Sequence, residues 1–291
     1  MIPKLKVPEI FTTSSRKRKG IPGQHPGMFN AHEHALASKI NVFANDSDDI
    51  EERDDISINE VMEIYYRNES KFCWIDIRGL GSQDVLDLIQ QTFKINSLTM
   101  EDVVNTHQRP KCEEYSDYLL VISRMLSLNS RLQLQNEQLS FICLERLLIT
   151  FQEDYDDVLD PVRERLRQKG GQNIRSLGPS YLMYALMDTV IDYYFTITNR
   201  LGDELEIIED HLYRKPQKQL VYRIQGVKKI MLALRRASWP EREKLFEMMK
   251  LDCPLIRPEV HVFLRDAYDH SIQAVDLIES YRETSSSLMD L

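Results

Sequence analysis

Four carboxylates, Asp269, Asp276, Glu283 and Asp290, stand seven residues apart near the C-terminal end of this 291-residue sequence. On a slightly supercoiled helix that spacing stacks them in one column. Carboxylate oxygens are what hard cations such as Mg2+ take as ligands, often through water. The softer groups of a zinc or redox site are scattered: Cys73, Cys112, Cys143 and Cys253 lie far apart in sequence, and His32 and His34 form a lone His-x-His. Paired acids such as Asp156 with Asp157, or Asp266 with Asp269, could serve acid-base chemistry. No glycine-rich phosphate loop, G-x-S-x-G elbow or H-E-x-x-H accompanies them, so the sequence reads as no enzyme.

The formal net charge is −9. Residues 251–291 concentrate it, with eight acids against three arginines. Such a balance argues against nucleic acid as a partner and draws cations to the surface. Two readings of the acidic column stay open. It keeps a long surface helix in solution, or it lines an ion path where several helices converge.

These residues need elements to position them. A composition of 42% hydrophobic and 29% charged residues is that of a water-soluble globular chain, and no run of 18 apolar residues predicts a membrane span. Residues 1–37, with the basic run Arg16-Lys-Arg-Lys19, lack periodicity and read as a flexible segment. Strands are expected at Ile40–Ala44, Phe72–Ile77, Tyr118–Leu126, Gln138–Leu144 and Arg146–Phe151, and helices at Ile58–Tyr65 and Ser82–Phe93. The acidic run Asp46–Asp55 reads as a loop. This mixture predicts an α/β domain over 38–180, a mixed β-sheet flanked by helices.

From Pro161 the period becomes helical. Leu201, Leu205, Ile208 and Leu212 form a stripe backed by Asp203, Glu204, Glu206, Glu209 and Asp210. Pro216 marks a turn, and a second helix starts near Gln217. This predicts a helical region over 181–250 containing a long acidic hairpin, with Trp239-Pro240 separating off a short helix that runs to Lys250. The last segment, 251–291, predicts a stalk helix of roughly 50 Å.

Several blocks resemble one family. Met100-Glu-Asp-Val-Val-Asn-Thr-His-Gln-Arg-Pro-Lys111, Ile149-Thr-Phe-Gln-Glu153, Asp160-Pro-Val-Arg-Glu-Arg-Leu-Arg167, Arg235-Arg-Ala-Ser-Trp-Pro-Glu-Arg-Glu243, Leu264-Arg-Asp-Ala-Tyr-Asp-His270 and Asp276-Leu-Ile-Glu-Ser-Tyr-Arg-Glu283 look like CorA-family divalent-cation transporters, in the family's order. The resemblance implies a cytoplasmic Mg2+-sensing and gating domain at the membrane's inner face. In the full-length protein it implies a homopentameric funnel, with membrane helices and a Gly-Met-Asn signature expected after Leu291. It implies Mg2+ as regulatory and transported ion, with Co2+ or Ni2+ as further cargo. An inter-subunit metal site is implied between Asp102 and Asp266 of a neighbour, supported by Glu101 and Asp188. Without the resemblance, Asp102 could cap a helix and Asp266 could pair with Arg265. His107 and His270 read as packing residues, and Arg109, Arg163, Arg165, Arg235 and Arg236 as partners of acidic surfaces. A zinc, cobalt or nickel transporter on the same architecture, or a non-sensing oligomeric scaffold, remains the alternative.

Overall fold

Side chains that alternate in twos must serve two faces of a sheet, and those recurring at three and four must serve one stripe of a helix. The chain changes from the first regime to the second near residue 160. The computed structural model describes residues 27–45, 49–69, 71–168, 172–214 and 217–290. Residues 1–26 and Pro216, with the expectations placed on them, lie outside that set.

The first half runs β1 (Lys39–Asn45), β2 (Ile50–Arg53), α1 (Ile58–Arg67), β3 (Phe72–Arg78), α2 (Gln83–Phe93), α3 (Ser97–Val104), β4 (Lys111–Glu114), β5 (Leu119–Leu128), β6 (Leu134–Cys143) and β7 (Leu147–Gln152). The strands form one mixed sheet in the order β2-β1-β3-β7-β6-β5-β4, with only the β3–β7 pairing parallel. Alternation splits its side chains between two cores. Phe43, Trp74, Leu148, Phe141 and Val121 face one side. Val42, Ile75, Ile149, Ile142 and Ile122 face the other, where α1, α2 and α3 lie. Ser57 and Glu60 close a capping box at the start of α1.

The second half covers the first of these faces with α4 (Asp160–Arg167), α5 (Gln172–Ser176), α6 (Gly178–Arg214), α7 (Lys218–Lys250) and α8 (His261–Ser287). Buried α7 positions Leu220, Ile224, Val227, Met231, Leu234, Ser238, Glu241, Leu245 and Met248 alternate in steps of four and three. On α8, Leu264, Ala267, Ser271, Ala274, Ile278 and Ser285 fall on the same kind of repeat. Such stripes pack as in a coiled coil.

Four features depart from the sequence-based expectation. The acidic run contains β2: Ile50 is half-buried, the strand pairs with β1, and Arg67 and Arg167 neutralise Glu51 and Glu52 at 2.7 and 2.6 Å. Pro240 does not break α7, because buried Ala237 and Ser238 before it and Glu241 and Leu245 after it hold the helix against its neighbours. Near the hairpin turn the acid belongs to α6, since the first half of α7 carries Lys218, Arg223, Lys228 and Lys229 and no acid before Glu241, and Arg223 meets Glu204 at 2.6 Å. Finally, α8 has 27 residues, about 40 Å, and ends at Ser287, where four consecutive hydroxyls from Thr284 to Ser287 bond back to carbonyls one turn earlier.

The α6–α8 crossing is close at Gly202, where an added Cβ would stand 2.6 Å from the Tyr281 ring. Gly202→Ala gains about 1 kcal/mol of helix propensity but overpacks by ~1–3 kcal/mol. We expect a net loss of about 1 kcal/mol in urea unfolding that becomes a gain in a Tyr281→Leu background. A loss of equal size in both backgrounds would remove Tyr281 as its cause.

Candidate metal centre

Residues four apart on a helix share a face, which sets Asp266 and His270 of α8 side by side. From α6, Asp188 approaches the same spot, its Oδ1 3.5 Å from His270 Nδ1, while Asp266 Oδ1 stands 4.0 Å from Nε2. The imidazole therefore lies between two carboxylates from different helices. Tyr184, one turn before Asp188, donates its hydroxyl to Asp188 Oδ2 at 3.4 Å. Burial raises the Asp188 pKa above the ordinary carboxylate value; His270 opposes the rise and Asp266 adds to it. Burial, then the Asp188 charge, raises Tyr184 as well. A cation at this spot would relieve both. The Asp266 side chain is 60% exposed, so the spot opens outward.

The other two expected ligands sit elsewhere. Asp102 lies in the last turn of α3, whose N-cap is Asn96, so a capping role for Asp102 is excluded. Its Oδ1 accepts from Gln108 Nε2 at 2.8 Å, and its Oδ2 meets Lys111 Nζ at 2.6 Å. Lys111 also reaches Glu113 at 2.7 Å. Burial works against the Lys111 charge, but these two carboxylates outweigh it and raise its pKa. Glu101 Oε2 accepts from the backbone N–H of Gly27 at 2.7 Å.

The structure thus brings Asp188 and Asp266 together and adds His270, which sequence reasoning read as packing. The i,i+4 relation to Asp266 was the available signal. Asp102 and Glu101 belong to the helix layer on the opposite face of the sheet from α8. Among the described residues, no three His, Cys, Asp or Glu side chains are arranged to hold a metal ion within one chain. Asp269, Asp276 and Glu283 lie on the exposed face of α8, and Asp290 is exposed beyond its end. Among the described residues, no helix is long and apolar enough to cross a membrane.

Comparison with known proteins gives this geometry a context. A family model described as a CorA-like Mg2+ transporter protein matches residues 69–291. Over 227 residues the chain is 37% identical to the cobalt/magnesium transport protein CorA of Thermotoga maritima, a match covering 78% of this chain and 64% of that relative's length. The fold is similar to the soluble domain of CorA from Methanocaldococcus jannaschii, with a TM-score of 0.72 at 21% identity over 86% of this chain and 95% of that one. It is also similar to the ZntB cytoplasmic domain from Vibrio parahaemolyticus, with a TM-score of 0.60 at 13% identity over 88% and 96% of the two chains.

Proposed function

Since the chain belongs to the CorA-like Mg2+ transporter family, we propose that it is the cytoplasmic ion-sensing and gating part of a membrane divalent-cation transporter, assembled as a homopentamer. In this reading Mg2+ joins Asp102 of one subunit to Asp266 of the next, with Glu101 and Asp188 in support. The observation that supports it best is the placement of Asp102 and Asp266 on opposite faces of one sheet, each partly exposed. Carboxylates so separated form a common site only when two chains meet, and there they repel until a divalent ion neutralises them. The ion then stabilises the closed assembly, because it binds the state in which its site is complete.

The donor set fits Mg2+, a hard cation that keeps part of its water shell. Lys111 fits less simply, because its ammonium already holds Asp102 Oδ2 and competes with any metal there. We expect Mg2+ to protect the membrane-inserted, longer protein from protease in a titration. Asp102→Asn should raise the midpoint at least about fivefold, and Lys111→Gln should lower it about threefold by removing the competitor. Asp266→Lys should give protection without Mg2+, since a fixed positive charge beside Asp102 replaces the ion electrostatically. A wild-type midpoint in all three variants would sink the pair as the sensor.

A second reading rests on His270. Imidazole is a nitrogen donor that Zn2+, Co2+ and Ni2+ accept far more readily than Mg2+ does. In that reading His270 lends a nitrogen ligand to the inter-subunit site, which then selects a transition metal, and Co2+ or Zn2+ would protect at concentrations where Mg2+ does not, an advantage abolished by His270→Gln.

A further inference from the structure

The Arg235–Glu243 block plays no part in the metal reading, yet Arg235, Arg236, Ala237, Trp239 and Pro240 of it line a cavity on the chain's described surface. About 980 Å³ opens between α7, the loop after α3, the start of β6 and the segment following β7. That volume is at the upper end of the roughly 300–1,000 Å³ typical of small-molecule sites. In a chain of net charge −9, this cavity gathers four guanidiniums, from Arg109, Arg124, Arg235 and Arg236.

Two of the four have structural duties. Arg124 donates to Asn136 Oδ1 at 2.8 Å and to the Thr106 carbonyl at 2.9 Å, which fixes it in the wall. Arg235 forms an ion pair with Glu279 on α8. Arg109 and Arg236 have no hydrogen-bond or ion-pair partner among the described residues, contrary to the expectation that they pair with acidic surfaces. They approach the cavity from separate elements, the loop after α3 and α7. Three carboxylates share the lining, but they oppose this charge weakly. Glu153 is bound by the Thr106 hydroxyl at 2.9 Å and the Gln138 N–H at 3.0 Å. Burial pushes the Glu137 carboxyl up to about 8, and its Oε2 already accepts from the Glu153 and Asp154 N–H groups at 3.2 and 3.1 Å. Asp154 is exposed at the rim. Trp239 stands at the edge, 39% exposed, with Arg242 4.3 Å from its ring centroid.

We propose that this cavity binds a phosphate-bearing small molecule of nucleotide size, its anionic groups held between Arg109 and Arg236 and its aromatic ring set against Trp239. Guanidinium forks suit phosphate oxygens, and an indole face stacks a base without reading its identity. The cavity borders the Asp102 corner, because Asp102 holds Gln108 and Gln108 lines the cavity beside Arg109, but its guanidiniums play no part in the metal reading.

The test uses intrinsic fluorescence, since Trp74, the other tryptophan, is fully buried. The 291-residue chain is titrated with ATP, ADP, pyrophosphate and inorganic phosphate in EDTA, with calorimetry as a second readout. ATP is expected to quench Trp239 saturably and to bind at least tenfold more tightly than inorganic phosphate. Arg109→Ala and Arg236→Ala should each weaken it fivefold or more with unchanged circular dichroism, and Lys94→Ala, an exposed cation after α2, should leave it unaltered. No saturation by ATP, equal quenching by sodium chloride at matched ionic strength, or undiminished affinity in the Arg109→Ala/Arg236→Ala double variant would overturn the site.

Discussion

Lys244→Met is expected to cost about 3–5 kcal/mol in urea unfolding at pH 7, because it strands a carboxylate in the core. Glu241 and Lys244 are both completely shielded from solvent and form a close ion pair one helical turn apart on α7. Ser123, on the sheet, ties them across the helix–sheet interface: Lys244 Nζ donates to its Oγ at 2.6 Å, and that hydroxyl donates to Glu241 Oε1 at 2.9 Å. Glu241 Oε2 has no hydrogen-bond partner, so little but Lys244 compensates the charge. Removing the acid too should recover most of the loss. Lys244→Met with Glu241→Leu leaves only the Ser123 hydroxyl unmatched, a penalty of about 1–3 kcal/mol. Adding Ser123→Ala should bring stability close to wild type. A cost below about 1 kcal/mol for Lys244→Met alone would mean that water reaches Glu241 and the pair is not dry.

That trio shows where sequence reading stops. Strands such as β3 and β7 were legible, because a strand with one core on each face reads as a continuous apolar run bounded by polar residues. The long helices were legible from their apolar stripes. Glu241 and Lys244 hold core positions on such a stripe, but periodicity assigns charged residues outward, and only the partner strand supplies the reason they turn in. β2 was hidden for a related reason: its glutamates looked solvated because Arg67 and Arg167, which neutralise them, come from elements far along the chain. Trp239-Pro240 read as a break because proline acts locally, whereas the packing that keeps α7 continuous is tertiary. For the candidate metal centre, the resemblance singled out Asp102 and Asp266, with Glu101 and Asp188 in support, but gave no sign that Lys111 occupies Asp102 or that His270 stands between Asp188 and Asp266.

Arg163→Met should be as damaging at neutral pH, about 3–5 kcal/mol, and its cost should depend on pH. Arg163, only 2% exposed, reaches Asp76 on β3 at 2.8 Å and Asp157 at 2.5 Å through Nη2, and Asp157 and Asp160 at 2.8 and 2.9 Å through Nη1. One guanidinium thereby pins α4 and the loop before it to the sheet. Asp76 keeps the Thr150 hydroxyl at 2.8 Å, the Gln152 amide at 3.0 Å and Arg78 at 3.2 Å, but Asp157 would retain only the Leu159 N–H and a more distant Arg78 at 3.7 Å. Burial alone would raise the Asp157 pKa; the hydrogen bonds and charge of Arg163, the Leu159 N–H and Arg78 overcome it and hold the pKa below the usual carboxylate value. A depressed folded-state pKa adds stability that is present above the unfolded value near 4 and is lost as pH falls through the folded one. Without Arg163 the burial effect prevails, so the variant's Asp157 takes up a proton at higher pH and regains stability as the wild type begins to lose it. The gap between the two proteins should therefore narrow from ~3–5 kcal/mol at pH 7 to about half of that by pH 3. Arg163→Lys should not rescue it, because one ammonium cannot span two carboxylates as the planar fork does. Unfolding curves across this range giving a constant gap would show that Arg163 acts by packing rather than by charge.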